Sequence, residues 1–485
     1  MKDLKHALFA GVLLTWPASA LMAPALLAQQ PTSAAAGLVA LSVEDAVARA
    51  LGRSQEARLA RLQLDLAAAQ VKEARAAALP TLDATLDYTR TYASPFNTGG
   101  GGFVLPDSLK FSPDSAASIE QRLRYLERNA ANAGLGGLGS LFGNLPLGQV
   151  NGYVARLSGS QTLYSGGKVG AALRIAKNYQ DGVRFDVREQ LANIELDVRS
   201  AYYRAVLAVE LENIARAALE QASAFSAQTK LRKDAGTASE LDVLRADVER
   251  ENLRPQLVQA RNASSIALLE LKKLLDVPAS SAIALTTPLD VPADTVAKAM
   301  LDVNRRASVI SGEKQVAIKE SQVRVAKGDY QPQVTLRFNV GSQAFPARTF
   351  DLSTDQWRPD ISAALGVSLP IFNGFRTQAA VQKARIELTQ SRLQLDQLRE
   401  NVTLEYEQAR GERDRALSSL ASQQQTVGQA QRVYDLTLLR FDRGLSTQLE
   451  VTDARLALLR SKTNLAQAIA DYRIADAKLV RATVN

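Results

Sequence analysis

The chain carries one pattern twice, LRKDAGTASELDVLRA at residues 231–246 and LRFDRGLSTQLEVTDA at residues 439–454. Leu, Arg, Asp, Gly, Leu, Val and Ala recur in the same order, and Gly236 and Gly444 are 208 residues apart (444 − 236). Helix-forming residues flank each glycine, and glycine reaches the positive φ that ends a helix at a tight turn without steric cost. The pattern therefore predicts a helical hairpin that is present twice in the chain.

The segments that lead to each turn are long and contain no proline. They cover residues 167–232 in the first half and 375–440 in the second. A helix of that length would reach on the order of 100 Å, at about 1.5 Å per residue. Returning helices are predicted to begin near Ser239, with Pro255 inside, and near Thr447. Helices this long exceed a globular core, so we expect them to pack along one another in coiled-coil fashion.

Each half also contains two segments in which apolar and polar residues alternate, as they do in a half-buried strand. The predicted strands lie near 81–92 and 150–163 in the first half, and near 333–342 and 361–370 in the second. Each is about as long as a strand that crosses a lipid bilayer, roughly 9–11 residues, although a soluble sandwich would alternate in the same way. Because membrane barrels have at least about 8 strands, a barrel built from this chain would require several copies.

The two strand hairpins differ in the length of their loops. The first loop, residues 94–148, contains Gly99–Gly102 and a predicted helix from Ser118 to Ala133, whereas the second, residues 342–359, is much shorter. Long loops of membrane barrels lie on the outer side. The first loop is therefore predicted to constrict or cover the mouth of a barrel, with surface recognition as the alternative.

The remaining segments complete the predicted organisation. Residues 1–28 are predicted to be an export signal, with a basic start, a short apolar run and small residues that offer cleavage after Ala20 or after Ala28. Residues 29–275 form the first repeat and 295–485 the second, and the proline-rich residues 276–294 link them as a small side element. A capping-box pattern at Ser42 predicts one helix that continues to about Ala78 and ends before Pro80.

Composition excludes several classes of function. There is no cysteine, and the single histidine, His6, lies in the predicted signal. The exported chain therefore cannot build a His/Cys zinc site, a Ser-His-Asp triad or a thiol nucleophile, and we expect no enzyme activity, cofactor or metal site. The net charge of +8 is spread along the helices without a dense basic run, so nucleic acid is not an expected partner.

Two strand hairpins, two long helical hairpins, tandem duplication and an export signal together resemble the TolC-like outer-membrane efflux protein family (outer membrane factors). The most specific shared piece is the R-x-x-x-G-x-x-[S/T]-x-L-[D/E]-V pattern at residues 232–243 and 440–451, and the Tyr/Phe-x-Gly entries at Tyr164 and Phe372 add to it. The resemblance covers essentially the whole exported chain.

This resemblance implies a mostly helical protein with a transmembrane β-barrel portion. Three copies would each give four strands to one 12-stranded barrel in outer-membrane lipid, continued by a helical tunnel across the periplasm. The tips would meet a periplasmic adaptor fed by an inner-membrane pump, and the chain would be a passive exit duct of a tripartite efflux or type I secretion system. The rival hypothesis is a periplasmic coiled-coil adaptor or scaffold protein without a membrane barrel.

The turn residues have structural and functional explanations. Gly236 and Gly444 suit helix C-caps, and the resemblance implies that these turns also dock the adaptor. Both explanations stay open for the glycines. The exposed neighbours are the better docking candidates: Ala235, Thr237, Arg443 and Leu445.

The acidic residues behind the turns are gate candidates. Asp242 and Glu450 both fit capping boxes, with Ser239 and Thr447 as the N-caps. The resemblance implies that Asp242 helps to hold the periplasmic end shut, and that Glu450 and Asp453 form acidic rings at its narrowest opening. Asp453 shares a helix face with Glu450 and has no capping role, so it is the stronger candidate. Converging carboxylates would attract cations.

Two positions depart from the family pattern. Phe441, a further gate candidate, stands where the family often has a closing tyrosine, and Ser446 stands where it often has an arginine. A phenyl ring donates no hydrogen bond and a serine forms no ion pair, so the family's latch is not expected in this form. Since Asp453 and Phe441 match Arg245 and Lys233 of the first repeat, the second turn is the predicted gate.

Overall fold

The computed structural model describes residues 39–93, 111–143, 150–290, 301–346 and 357–483, so the predicted signal and Gly99–Gly102 lie outside it. The helices are α1 (Val43–Arg53), α2 (Gln55–Ala76), α3 (Ile119–Gly143), α4 (Lys168–Asp234), α5 (Glu240–Leu274), α6 (Ala307–Gly328), α7 (Arg376–Asp442) and α8 (Gln448–Thr483). The strands are β1 (Val39–Leu41), β2 (Thr81–Arg90), β3 (Asn151–Ser165), β4 (Ile283–Leu285), β5 (Gln333–Ala344) and β6 (Arg358–Ser368).

The helical duplication is confirmed. Helices α4 and α7 each contain 67 residues and begin 208 positions apart (376 − 168), and α5 and α8 return beside them. At about 1.5 Å per residue each long helix reaches roughly 100 Å. No helix in the described ranges is both long and apolar enough to cross a membrane.

The core follows the helix axes as separate small clusters. The largest cluster surrounds Tyr202 of α4, whose hydroxyl donates to the Leu41 carbonyl at 2.8 Å and accepts from the Thr287 amide at 3.1 Å. These bonds hold β1 and β4, which pair in parallel, against the helices. The segment between the repeats thus adds a strand, β4, to the side of the helical body. Its partner β1 was not predicted, because three residues are too few to show alternation.

A buried charge cluster joins the two repeats near the ends of α6 and α8. Arg306 is 1% exposed and lies 3.0 Å from Glu189 of α4 and 3.8 Å from Glu405 of α7. Arg481 of α8 lies 2.7 Å from the same Glu189 and also pairs with Glu405. Because each carboxylate contacts both arginines, the cluster holds four helices from both halves of the chain together.

The prediction of one helix from Ser42 to Ala78 is wrong, because the helix is interrupted at Ser54, between α1 and α2. Ser54 has an extended ψ of 151°, and its buried hydroxyl accepts from the Ala57 amide at 3.1 Å as the N-cap of α2. Arg61 donates to the Leu51 carbonyl at 2.6 Å and so satisfies the end of α1. A serine is unremarkable within a helical pattern, and only this set of contacts makes it a boundary.

The four longer strands form one antiparallel sheet in the order β2-β3-β5-β6. The registers place apolar residues of all four strands on one face and polar residues on the other. One apolar row is Leu82, Gly159, Phe338 and Ala363, and the adjacent polar row is Asp83, Ser158, Asn339 and Ser362. A Cβ on Gly159 would lie 2.2 Å from the Phe338 ring, so this glycine makes room for the ring.

The long helices and α3 are attached to opposite ends of the sheet. Helix α2 runs into the start of β2 and α4 follows the end of β3, so the long helices leave from one end of the sheet. Helix α3 connects β2 to β3 at the opposite end. The outer edges of β2 and β6 have no partner strand among the described residues, and every residue of both strands is exposed.

Candidate functional site at the helical tips

Both turns have the same backbone geometry. Gly236 has φ +75° and Gly444 has φ +73°. The amide three positions after the last residue of each helix bonds to the carbonyl five residues before it, from Thr237 to Arg232 and from Leu445 to Arg440, at 2.8 Å in both cases. This is the bonding of a Schellman C-cap, which needs a left-handed residue where each glycine stands. The turn geometry is therefore a sufficient reason for glycine at both positions, and it leaves a role in docking open.

The structure brings the two turns of one chain side by side. Arg232, at the end of α4, pairs with Asp442, at the end of α7, at 2.7 Å. The Gln448 side chain of α8 donates to the Asp242 carbonyl of α5 at 2.9 Å. The four docking candidates Ala235, Thr237, Arg443 and Leu445 are all exposed around this contact, and Leu445 is 66% exposed. Residues 208 positions apart thus form one continuous tip surface.

Asp242 is held in its own N-cap. Its carboxylate accepts from the Ser239 amide at 3.0 Å and the Ser239 hydroxyl at 2.7 Å, while the Ser239 oxygen accepts from the Asp242 amide at 3.2 Å. The hydrogen bonds from the Ser239 side chain and backbone lower the pKa of Asp242. In this chain it is the Asp242 backbone, through Gln448, that contacts the other hairpin.

Glu450 forms only half of the expected capping box. Its amide donates to the Thr447 hydroxyl at 3.3 Å, but its carboxylate accepts from the Ser446 hydroxyl instead of the N-cap amide. That side-chain bond is the main cause of a lowered pKa of Glu450, followed in the same direction by a backbone bond from Thr447. Ser446 is thus the hydrogen-bond partner of this gate candidate.

Asp453 lies one turn further along α8 and is exposed. It makes no hydrogen bond or ion pair with any residue that the structure describes. The neighbouring residues Val451, Ala454 and Arg455 are buried, whereas Glu450 and Asp453 are both exposed. Glu450 and Asp453 therefore point away from the core of their own chain, and their charges are open to solvent or to another copy.

Phe441 packs inside the tip. Its ring centroid lies 5.7 Å from that of Phe225, and the Arg232 guanidinium lies 4.7 Å from its ring centre. Ala246 and Val451 complete the cluster. A hydroxyl is not needed for this role, because the ring bridges α4 and α7 through apolar and cation–π contacts. Phe441 thus connects the two hairpins of the chain without a hydroxyl group.

The tip also contains a buried ion pair that the sequence did not predict. Arg455 of α8 is 4% exposed and pairs with Glu249 of α5, which also accepts from the Thr452 hydroxyl at 3.1 Å. The Arg455 guanidinium lies 5.3 Å from the Phe225 ring centre. The available signal was that Arg455 interrupts an apolar helix face formed by Val451, Ala454 and Leu458.

The sequence is similar to that of known outer-membrane proteins along most of its length. The family model described as "Outer membrane efflux protein" matches residues 46–276 and 303–484. The solvent efflux pump outer membrane protein SrpC of Pseudomonas putida is 26% identical over 238 residues, which are 48% of this chain and 49% of SrpC. The alkaline protease secretion protein AprF of Pseudomonas aeruginosa is 25% identical over 341 residues, 67% of this chain and 68% of AprF. The chain thus spans about half to two thirds of the length of these relatives.

The fold also matches a solved structure. The outer membrane protein VceC from Vibrio cholerae superposes with a TM-score of 0.69 at 17% identity, covering 91% of this chain and 95% of VceC. At that identity the likeness establishes the arrangement of strands and helices. It agrees with the predicted duplication of a strand hairpin and a long helical hairpin.

Proposed function

This chain belongs to the outer membrane efflux protein family, and we propose that it acts as an outer-membrane exit duct for a tripartite efflux or type I secretion system. One observation carries this proposal: a four-stranded sheet with an exposed apolar face and two unpaired edges continues directly into helices of 67 residues. The chain would conduct passively, with energy supplied by its partners.

The sheet requires other copies of the chain before it can span a membrane. Backbone groups at the edges of β2 and β6 have no partner strand among the described residues, and an open edge is not tolerated in lipid. β2 and β6 run in opposite directions, so β6 of one copy can pair antiparallel with β2 of the next. Three copies would give 12 strands, within the range of closed membrane barrels. The long helices would then continue the barrel as a periplasmic tunnel.

The proposal as a whole is tested by three measurements: the cellular fraction that contains the protein, its oligomeric state and its ion conductance. We expect the protein in the outer-membrane fraction, as an oligomer that resists detergent until it is heated, and as ion-conducting channels in planar bilayers. The adaptor or scaffold hypothesis predicts a soluble periplasmic protein that forms no channels. That result would overturn the proposal.

The tip surface is the proposed docking site for a periplasmic adaptor, and Leu445 is the one large apolar side chain among the four docking candidates. A photoreactive residue at position 445 should cross-link in cells to a periplasmic membrane-fusion protein. The same group at Leu436, which is 62% exposed but lies away from the turn, is the matched control and should not. Equal products from both positions, or none from the tip, would contradict docking at this surface.

Two substitutions separate the roles of the turn glycines. Asn adopts a left-handed φ far more readily than Ala does. An Ala at position 444 should therefore destabilise the turn by about 1 kcal/mol. If glycine serves the turn alone, Gly444→Asn keeps the cross-link from position 445 and Gly444→Ala weakens it. If docking needs the bare backbone, both weaken it. A Cβ at Gly444 would have no other atom within 4 Å, so the Cβ that both variants add meets no clash.

A further inference from the structure

Helix α3 carries an apolar stripe that the rest of the described chain does not cover. Ile119 is 83% exposed, Leu123 57% and Leu126 43%. These residues lie beyond the end of the sheet, on the side opposite the long helices, where the proposed barrel would open to the exterior. Three large aliphatic side chains on one exposed helix face need an apolar partner.

The spacing of the stripe favours another helix as that partner. Ile119, Leu123 and Leu126 follow one another at intervals of four and three residues, before the helix kinks at Asn129, whose φ of −119° and ψ of 15° are not helical. This is the strict a/d pattern of a coiled-coil seam, narrower than the face by which a helix packs on a globular core. Ile119 and Leu126 take the d positions, and Leu123 takes the a position between them.

The charges beside the seam favour identical helices in parallel. In this frame Glu120 and Glu127 take the e positions and Arg122 takes a g position. In a parallel pair, a g residue meets the e residue five positions later on its neighbour, and so Arg122 faces Glu127. An antiparallel pair would bring Arg122 against Arg122 and glutamates against glutamates. Arg122 and Glu127 form no ion pair within the described chain, whereas Glu120 pairs with Arg124 of its own helix at 2.6 Å.

The chain before α3 secures the helix from the side away from the seam. The Ser112 amide donates to the Tyr125 hydroxyl at 3.0 Å, and the Phe111 and Tyr125 rings lie 5.9 Å apart. Tyr125 takes a c position, on the outer side of a coiled coil. Ser118 and Gln121 cap the start of α3 reciprocally. The residues before α3 thus cover the side of the helix away from the seam, and the seam stays exposed.

We propose that the α3 helices of neighbouring copies associate through Ile119, Leu123 and Leu126 into a short parallel coiled coil across the outer mouth of the duct. The proposal rests on the oligomer proposed above. With α3 running along the barrel axis, cyclic symmetry makes its copies parallel, as the charge pattern requires. A seam this short would be weak between free chains, but copies tethered to one barrel have a high effective concentration. The coil would narrow the exit without closing the barrel wall.

Because the chain has no cysteine, single cysteines can test this arrangement in intact outer membranes. Leu123→Cys lies in the seam, and Arg128→Cys, at an outer f position of the same helix, is the matched control. Under mild oxidation we expect the disulfide-linked dimer of Leu123→Cys to be at least several-fold more abundant than that of Arg128→Cys. The heat-sensitive oligomer is scored in the same samples.

The outcomes separate the two proposals. An intact oligomer with equal cross-linking at both positions, or with more at Arg128→Cys, overturns the coiled coil and leaves the duct standing. Such a result would indicate that the stripe faces lipid or another surface. Absence of the oligomer overturns both.

Charge exchange supplies a second test. Adding Arg122→Glu to Leu123→Cys should lower the cross-linked fraction, because glutamates then face one another along the seam. Adding Glu127→Arg as well should restore it. If the double exchange restores nothing, or Arg122→Glu has no effect, the parallel pairing is wrong.

Discussion

Glu450 and Asp453 show how one exposed helix face can hold two acidic residues with different properties. Glu450 accepts a hydrogen bond from Ser446, whereas Asp453 has no partner among the described residues. In the proposed oligomer each would form a ring of like charges. The Ser446 hydroxyl stabilises the charge of Glu450 locally, and the Asp453 ring depends on solvent and on passing cations for the same purpose.

Asp453→Asn should reduce cation selectivity several-fold and relieve block by divalent cations. The substitution keeps the size of the side chain and removes the charge that attracts cations to the entrance. Single-channel recording of reversal potentials and divalent block measures both effects. Asp453→Glu, which keeps the charge, is the control and should retain both. Unchanged selectivity and block in Asp453→Asn would exclude this residue from the entrance.

Ser446→Ala should make the channel lose cation selectivity at a higher pH in an Asp453→Asn background, where Glu450 is the remaining acid of the pair. The Ser446 bond lowers the pKa of Glu450, so the carboxylate keeps its charge to a lower pH than usual. Removing the hydroxyl raises that pKa towards its ordinary value, and the charge is then lost earlier as the pH falls. Reversal potentials measured over a pH series should show this upward shift. A downward shift or none would contradict the role of Ser446.

The elements differ in how far the sequence could predict them. The strands and their faces were predictable because alternation is a local property, and the registers place Leu82 and Phe338 on the same face. Gly236 and Gly444 marked the turns because their conformation needs glycine. The break at Ser54 and the Glu249–Arg455 pair were not predictable, because each depends on partners in the folded chain. For the ion pair the partners are 206 residues apart (455 − 249), and no local pattern connects them.

Arg455→Met should loosen the attachment of α8 to α5. It leaves Glu249, whose side chain is only 12% exposed, without its cation, and breaking a buried pair in this way costs about 3 kcal/mol. Hydrogen exchange of amides in the first turns of α8 should therefore become roughly 100-fold faster, at 1.4 kcal/mol per tenfold. Arg460→Met is the control, because Arg460 is exposed on the same helix. Equal exchange in the two variants would show that the pair contributes little.

At the scale of the whole molecule, a single chain leaves the edges and the apolar face of its sheet uncovered. The sheet exposes apolar side chains of β2 and β6, among them Leu86 (76%), Ile361 (72%) and Val367 (67%), next to edges without partner strands. A soluble monomer would expose both features to water at the cost of aggregation. Lipid would cover the apolar face, and neighbouring copies would satisfy the edges. The number of copies could not be predicted from local patterns, because it depends on how three or more sheets close.

Leu86→Arg and Asp87→Arg test this arrangement with the same new side chain on opposite faces of β2. Both positions lie near the middle of the strand, with Leu86 on the apolar face and Asp87 on the polar face. In the proposed barrel, Leu86→Arg places a charge in the lipid core, at a cost of about 2–4 kcal/mol, whereas Asp87→Arg faces the water-filled lumen. The heat-sensitive oligomer recovered from outer membranes should fall sharply for Leu86→Arg and stay near the wild-type amount for Asp87→Arg. If both variants assemble equally well, the apolar face does not contact lipid.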